Sequence, residues 1–168
     1  MMIKKDTTQT LRQKDHVKEM RKKLRELGIT ESSMYSKKEN LGKMKNIAWA
    51  FFSFFIRQRD FKKYGGKCYT CQKVAESVQD LQAGHYQSRG KAATLYNEIN
   101  NHAQCRACNH PAIGNGKPRT YSYNLNQEYG EGTSDELYRL SEQYQKNDFW
   151  WHLETANKYY EKLKAKEN

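Results

Sequence analysis

Four cysteines occur in the 168-residue chain, and they fall into two matched pairs: Cys68-Tyr-Thr-Cys71 and Cys105-Arg-Ala-Cys108. A gap of two residues lets both thiolates of a pair turn toward one ion. Two such knuckles complete the tetrahedral S₄ shell that zinc prefers. The rival readings are disulfides and a redox pair. The charged N-terminus carries no apolar leader, so a cytoplasmic setting is expected, where disulfides are disfavoured. Two matched knuckles in one short region favour structural Zn²⁺ held by Cys68, Cys71, Cys105 and Cys108. A closed S₄ shell has no open position, so this ion staples the fold and does not catalyse. Lys67 and Arg106, beside the cysteines, would ease the charge of four thiolates. The 33 residues between the pairs leave room for two strands and a loop.

A metal staple suits the composition. Only 36% of residues are hydrophobic, 29% are charged and the mean hydropathy is -1.11. A chain so poor in apolar side chains gains folding free energy from a bound ion. No window approaches the ~18 apolar residues of a membrane span. The net charge is +11 and lies entirely before the first cysteine: residues 1–67 carry 18 Lys and Arg against 7 Asp and Glu, and residues 68–168 carry 12 of each. Such an excess points to a polyanion, nucleic acid first.

Residues 8–28 read as a helix with an apolar stripe of Leu11, Val17, Met20, Leu24 and Leu27 that stops at Gly28. Its other faces carry Lys14, Lys18, Arg21, Lys22, Lys23 and Arg25, either as a solvated face or as a phosphate-tracking arm. Residues 29–38 read as a linker. Residues 40–61 are the most hydrophobic stretch. They read as a buried core helix whose Trp49, Phe51, Phe52, Phe54 and Phe55 are core, with Arg57, Arg59, Lys62 and Lys63 extending the basic face. Beyond Lys117 the pattern is helical again. Thr133 and Glu136 stand at capping-box spacing, and a last helix starts near Asp148. The expected division is a basic arm and linker (1–38), a core helix (39–66), a zinc-stapled core (67–130) and a C-terminal helical extension (131–168).

The unusual chemistry lies between the knuckles. Asp80-Leu-Gln-Ala-Gly-His85 ends a short alternating run on a histidine, and Ser88, Arg89, Gly90 and Lys91 follow as a polar turn. Asn97, Asn100, Asn101, His102 and Gln104 precede the second knuckle, and Asn109 follows it. Phosphodiester hydrolysis needs a base to activate water, a hard divalent cation and oxygen-bearing side chains to hold it. His85 suits the base at neutral pH, Asn100 could orient it, and Asn109 offers an amide oxygen to Mg²⁺ or Mn²⁺.

CxxC, a strand-borne His, Asn five residues before a second CxxC, and Asn directly after it resemble a zinc-stapled HNH (His-Me finger) nuclease, a combination also found in phage endonuclease VII. More closely, Gln82-Ala-Gly-His-Tyr-Gln-Ser-Arg-Gly90, Asn97-Glu98, His102-Ala-Gln-Cys-Arg-Ala-Cys-Asn109 and Gly114-Asn115 resemble the lambdoid phage NinG (Rap) recombination protein family, densest from Cys68 to Asn115. The resemblance implies an α+β chain: a small ββα-metal (treble-clef) finger flanked by N- and C-terminal helices. It implies a structure-selective endonuclease that cuts branched DNA, such as Holliday junctions and D-loops, during phage recombination in the host cytoplasm. His85 would be the general base, Asn109 a Mg²⁺ ligand and Asn100 the residue that orients the histidine. HNH nucleases usually carry Asp or His just before the base as the second ligand. Here that position is Gly84, and Asp80 or His102 is the expected replacement.

Arg21, Lys22, Lys23, Arg57, Arg59, Lys62, Lys63, Arg89 and Lys91 are the expected DNA contacts. Paired cutting of a four-way junction predicts a homodimer, and recombination proteins are possible partners. The alternative is a non-catalytic zinc-ribbon module that binds DNA or serves recombination as an accessory, which Gly84 favours. A sequence-specific transcription factor fits less well, with no helix-turn-helix cue and no C₂H₂ histidines.

Overall fold

A computed structural model describes residues 7–30 and 40–165. The order is α1 (Thr7–Glu26), α2 (Asn40–Tyr64), β1 (Leu81–His85), α3 (Ala92–Leu95), β2 (Asn101–Cys105), α4 (Arg106–Asn109), α5 (Pro118–Tyr129), α6 (Thr133–Ser141) and α7 (Phe149–Lys164). The chain is α+β, mostly helical with one small two-stranded sheet. The polar stretch read as a linker lies outside the described residues from residue 31 onward. Among the described residues no helix is long and apolar enough to cross a membrane.

The chain divides into two compact units that do not follow the expected order along the sequence: Met1–Phe52 with Asn147–Asn168, and Ser53–Lys146. In the first, α1 is not a free arm. Val17, Met20 and Leu24 are buried, and α1 contacts α7. Lys23 Nζ stands 3.5 Å from Asn157 Oδ1 and 4.8 Å from the Tyr160 ring centroid. Leu11, placed in the apolar stripe from its spacing, is 54% exposed, because the docked face covers only the C-terminal part of the helix. Most of the aromatic run of α2 is core, as expected: Ile47 through Phe52 are consecutively buried and so is Phe55, whereas Phe54 is half-buried with Arg57 over its ring. Phe52 meets Tyr159 edge-on at 4.9 Å, and Phe51 meets Tyr160 at 5.8 Å. Such contacts add to the burial of apolar area. The last helix starts where Asp148 predicts, with Asp148 Oδ1 accepting from Trp151 N–H at 2.9 Å.

In the second unit β1 pairs antiparallel with β2, Leu81 opposite Cys105 and His85 opposite Asn101. Tyr69, Tyr121, Leu125 and Leu137 form a buried cluster flanked by Tyr64 and Tyr86. The capping box of Thr133 and Glu136 does not form. The helix N-cap is Gly132, at φ 86°, so Thr133 is already helical and turns its hydroxyl back to Gly130 O. Asn126 Oδ1 accepts from Ser134 N–H at 2.9 Å and caps α6 from α5 instead.

Candidate functional site

The first knuckle leaves α2 as a tight hairpin. Cys68 N–H donates to Lys73 O, and Gln72 N–H returns to Cys68 O. The second begins at the end of β2, where Cys105 N–H donates to Cys68 Sγ at 3.2 Å. The four Sγ atoms lie within 4.8 Å of one another, with Cys71 and Cys105 at 3.7 Å. A tetrahedral shell with Zn–S of ~2.3 Å requires sulfurs roughly 3.8 Å apart. All four are free thiols, so the donor set and its spacing fit structural zinc. Burial pushes the Cys68 thiol up, but backbone N–H groups and Thr70 outweigh it and bring it down to about 6. Burial and the neighbouring thiols carry Cys108 the other way, to about 12. A cation at the centre would stabilise the thiolate forms of the cluster. Gly114 seals the second knuckle: a Cβ there would lie 2.3 Å from both Ala107 O and Cys108 O.

His85 sits at the opposite end of β1 from the cysteines. Leu81 faces Cys105 across the sheet, and His85 lies four strand steps beyond Leu81, roughly 14 Å. The knuckles and the histidine are therefore separate features of one hairpin. His85 is half-buried. Burial, with the charge of Arg89, pushes its pKa down to about 4, and its Nδ1 has no hydrogen-bond partner. Burial therefore favours the neutral imidazole at pH 7 and encloses Nδ1 without a partner.

Asn100 does not touch His85. Its Oδ1 accepts from Gln87 N–H at 2.7 Å, its Nδ2 donates to Gln87 O and Thr94 O, both at 3.1 Å, and its backbone O accepts from Tyr86 N–H. It clamps the two residues that follow the histidine, so it can set His85's direction only through the backbone. Asn97 and Asn101 do similar work. Asn97 Oδ1 accepts from Ile99 and Asn100 N–H, and Asn101 Nδ2 donates to Leu95 O and Asn97 O. The carboxamides before the second knuckle mostly hold the intervening loop.

The two residues expected to replace the ligand missing at Gly84 are committed elsewhere. Asp80 Oδ2 accepts from Ser77 N–H and Oγ, closing a 3-10 turn before β1 begins at Leu81, so the strand alternation that was to carry Asp80 does not reach it. His102 is fully buried. Its ring stacks on Tyr69 within the first knuckle, centroids 3.8 Å apart and planes at 7°. With its proton assigned to Nδ1, it donates to Asp60 Oδ2 at 3.0 Å, and its Nε2 accepts from Tyr129 Oη at 3.3 Å. Neither nitrogen is left for a metal.

Asp60 is the residue that sequence reasoning missed, and Arg59, expected on the DNA-binding face, is its partner. Asp60 is fully buried; its Oδ2 also accepts from Ala103 N–H at 2.7 Å, and its Oδ1 from Arg59 Nε at 2.6 Å. Burial works against the charged carboxyl, but His102 and Arg59 outweigh it and hold its pKa below the ordinary value. Arg59 also donates to Glu98 O and Asn101 O, each at 2.9 Å. It is therefore a strut of β2 and not a phosphate contact. The available signal was spacing: Phe52, Ile56 and Asp60 share one helix face at i, i+4, i+8, which places the acid in line with core residues. Arg57 is partly buried and reaches Val78 O at 3.5 Å. Lys63 pairs with Glu128, and Lys91 with Glu142. Lys62 and Lys22 are exposed, and Arg21 and Arg89 half-buried.

Asn109 ends α4 and donates its Nδ2 to Gln82 Oε1 at 2.9 Å, which brings it onto the face of β1 that carries Gly84. No curated protein matches the chain, and no solved structure does. Residues 1–168 match the family model described as Bacteriophage Lambda NinG protein, and the chain belongs to that family.

Proposed function

We propose that the chain is a metal-dependent endonuclease that hydrolyses phosphodiesters in branched DNA, with a small zinc-stapled ββα finger of the HNH type as its core. The observation that carries this is His85. It is a histidine at a strand end, kept neutral by burial, with Nδ1 unpartnered and the following loop clamped by Asn100. Nδ1, enclosed in the free protein, is the nitrogen that would take the proton of the attacking water once the site opens onto substrate. Asn109 would offer an amide oxygen beside β1 to Mg²⁺ or Mn²⁺, and Gln104 Oε1 is an unpartnered acceptor buried over Gly84. A bound cation supplies charge stabilisation at the scissile phosphate. Exposed basic residues of the N-terminal third grip backbone phosphates without reading bases. A four-way junction needs two cuts, so the acting form is a homodimer.

One observation favours a second reading, a non-catalytic zinc module that binds DNA in recombination. Among the described residues, the only cluster of three or more His, Cys, Asp and Glu placed to hold a metal is the four cysteines. Incubating the protein with a synthetic Holliday junction and Mg²⁺ or Mn²⁺, beside His85→Ala, separates the two. Cleavage by the wild type and its loss in the variant are expected. Binding without cleavage in either metal selects the second reading, and normal cutting by the variant removes His85 from the mechanism.

A further inference from the structure

Three carboxamides meet on one face of the sheet. Gln82 and Gln104 are direct cross-strand partners, and Asn109 reaches Gln82 from α4. Gly84 follows two residues along on the same face, and Gln104 lies over it: a Cβ at position 84 would stand 2.0 Å from Gln104 Oε1. Gln104 is fully buried. Its Nε2 is committed to Thr70 Oγ1 at 3.0 Å and Gly116 O at 2.9 Å, which fixes the amide's orientation and leaves Oε1 with no hydrogen-bond partner. An acceptor buried without a partner loses its hydration and gains nothing in return. It points to an electropositive partner due at that face. Amide oxygens are hard donors, suited to Mg²⁺ and Mn²⁺. Gln82 is exposed, and its bond to Asn109 is at the surface, so the cluster is open on its outer side.

We infer that Gln82 and Asn109 are the protein's oxygen ligands for a divalent cation, backed by Gln104 Oε1, and that a DNA phosphate completes the site. This rests on the nuclease reading for its role. To bind, Asn109 turns its amide so that Oδ1 replaces Nδ2 toward the ion, losing one exposed hydrogen bond. Gln82 thereby does what Gly84 cannot. All three amides are neutral, so the free protein holds the ion weakly. The negative charge that firm binding needs arrives with the substrate, in keeping with the preference of Mg²⁺ for shells shared with phosphate.

The test titrates Mn²⁺ into the zinc-loaded full chain, alone and with a four-way junction, following the EPR signal of free Mn²⁺ and subtracting uptake by the junction alone. Wild type is expected to take up one additional ion per chain only with DNA present. Gln82→Ala weakens that uptake by at least the roughly tenfold that loss of an outer-shell partner causes. Gln82→Glu tightens it and makes binding visible without DNA. Circular dichroism and zinc content report the fold of each variant, and the isosteric Gln82→Glu carries the test if Gln82→Ala does not fold. Uptake unchanged in Gln82→Ala and in Gln82→Glu, or no uptake beyond the junction's own, overturns the inference. Junction cutting is read in parallel. Mn²⁺ uptake that depends on Gln82 without any cutting keeps the cation site and removes the nuclease reading. Cutting with uptake indifferent to Gln82 does the reverse.

Discussion

Gly84 and Gln104 are sterically matched: a Cβ at position 84 would fall 2.0 Å from Oε1, 2.7 Å from Cδ and 3.0 Å from Cγ of Gln104. The glutamine cannot swing aside without breaking its bonds to Thr70 and Gly116. Position 84 is thus glycine for room, since its backbone is an ordinary strand. Gly84→Ala is expected to destabilise by about 1–3 kcal/mol, the usual cost of overpacking, and Gly84→Asp by more. Gln104→Ala opens the space, so the double variants should melt higher than the sum of the single losses implies. Additive losses in thermal melts would show that Gln104 does not fill that space.

Asp60 predicts a larger effect. It ties α2 to β2 through Ala103 N–H, His102 and Arg59. Asp60→Asn removes the fully buried charge and leaves the half-buried Arg59 guanidinium with only Glu98, at 3.9 Å, as counter-ion. Breaking a buried pair on one side costs about 3–5 kcal/mol. Urea denaturation checks it, and a loss below about 1 kcal/mol, the range of an exposed pair, would mean that the network is solvated.

How legible this was in the sequence depends on how local each signal is. The cysteine spacing, the apolar run of α2 and the start of the last helix near Asp148 depend on neighbours within a few residues, and each appears where the sequence places it. Thr133 failed as a cap because Gly132 can enter the helix left-handed, which spacing does not encode. Asp80 and His102 do not stand where the ligand reading needs them, the first for a local reason and the second for a distant one. A 3-10 turn delays the strand past Asp80, and His102 is claimed by Asp60, 42 residues earlier. The pairing of Gln82 with Gln104 carried no visible signal, because it exists only once β1 and β2 are in register.

Removal of zinc should collapse the second unit. The knuckles join the end of α2 to both strands, and structural zinc contributes about 10–16 kcal/mol in small peptides. One zinc per chain is expected by elemental analysis, and a strong chelator should abolish near-UV dichroism from Tyr69 and Tyr121, which pack 5.0 Å apart beside the site. Full retention of that signal at zero zinc would show that the hydrophobic cluster suffices.

Acid should destabilise the protein well above the carboxylate range. Burial pushes both His85 and His152 from an ordinary 6.5 down to about 4, with Arg89 adding to the first and Lys45 to the second. Unfolded histidines bind protons that these folded ones refuse, so the stability from both is complete above about pH 6.5 and is lost as pH falls toward 4. Melting temperature should decline across that window, and His152→Gln should flatten the decline. In NMR titrations the His85 ring should change charge near pH 4, and Arg89→Gln should raise that midpoint. A His85 midpoint at 6.5 would contradict the burial. If His85 is the base, cleavage keeps its rate down to about pH 5 where the fold survives.

The basic excess of the first 67 residues divides by what each side chain touches. Lys18, Lys22 and Arg25 are exposed on α1, whereas Lys23 is drawn in by Glu19 at 3.1 Å and by Asn157 and the Tyr160 ring. Under the proposed grip on DNA, Lys18→Gln, Lys22→Gln and Arg25→Gln together should weaken junction binding at low salt. They should also flatten the plot of log affinity against log salt by about 0.9 for each phosphate that is no longer neutralised, with little change in melting temperature. Lys23→Gln should do the opposite, lowering the melting temperature through poorer packing while leaving the salt slope alone. Fluorescence anisotropy with a labelled junction between 50 and 200 mM salt, roughly the range over which counterion release is read, measures both. An unchanged slope in the triple variant would show that this face of α1 is solvated and that phosphates are held elsewhere.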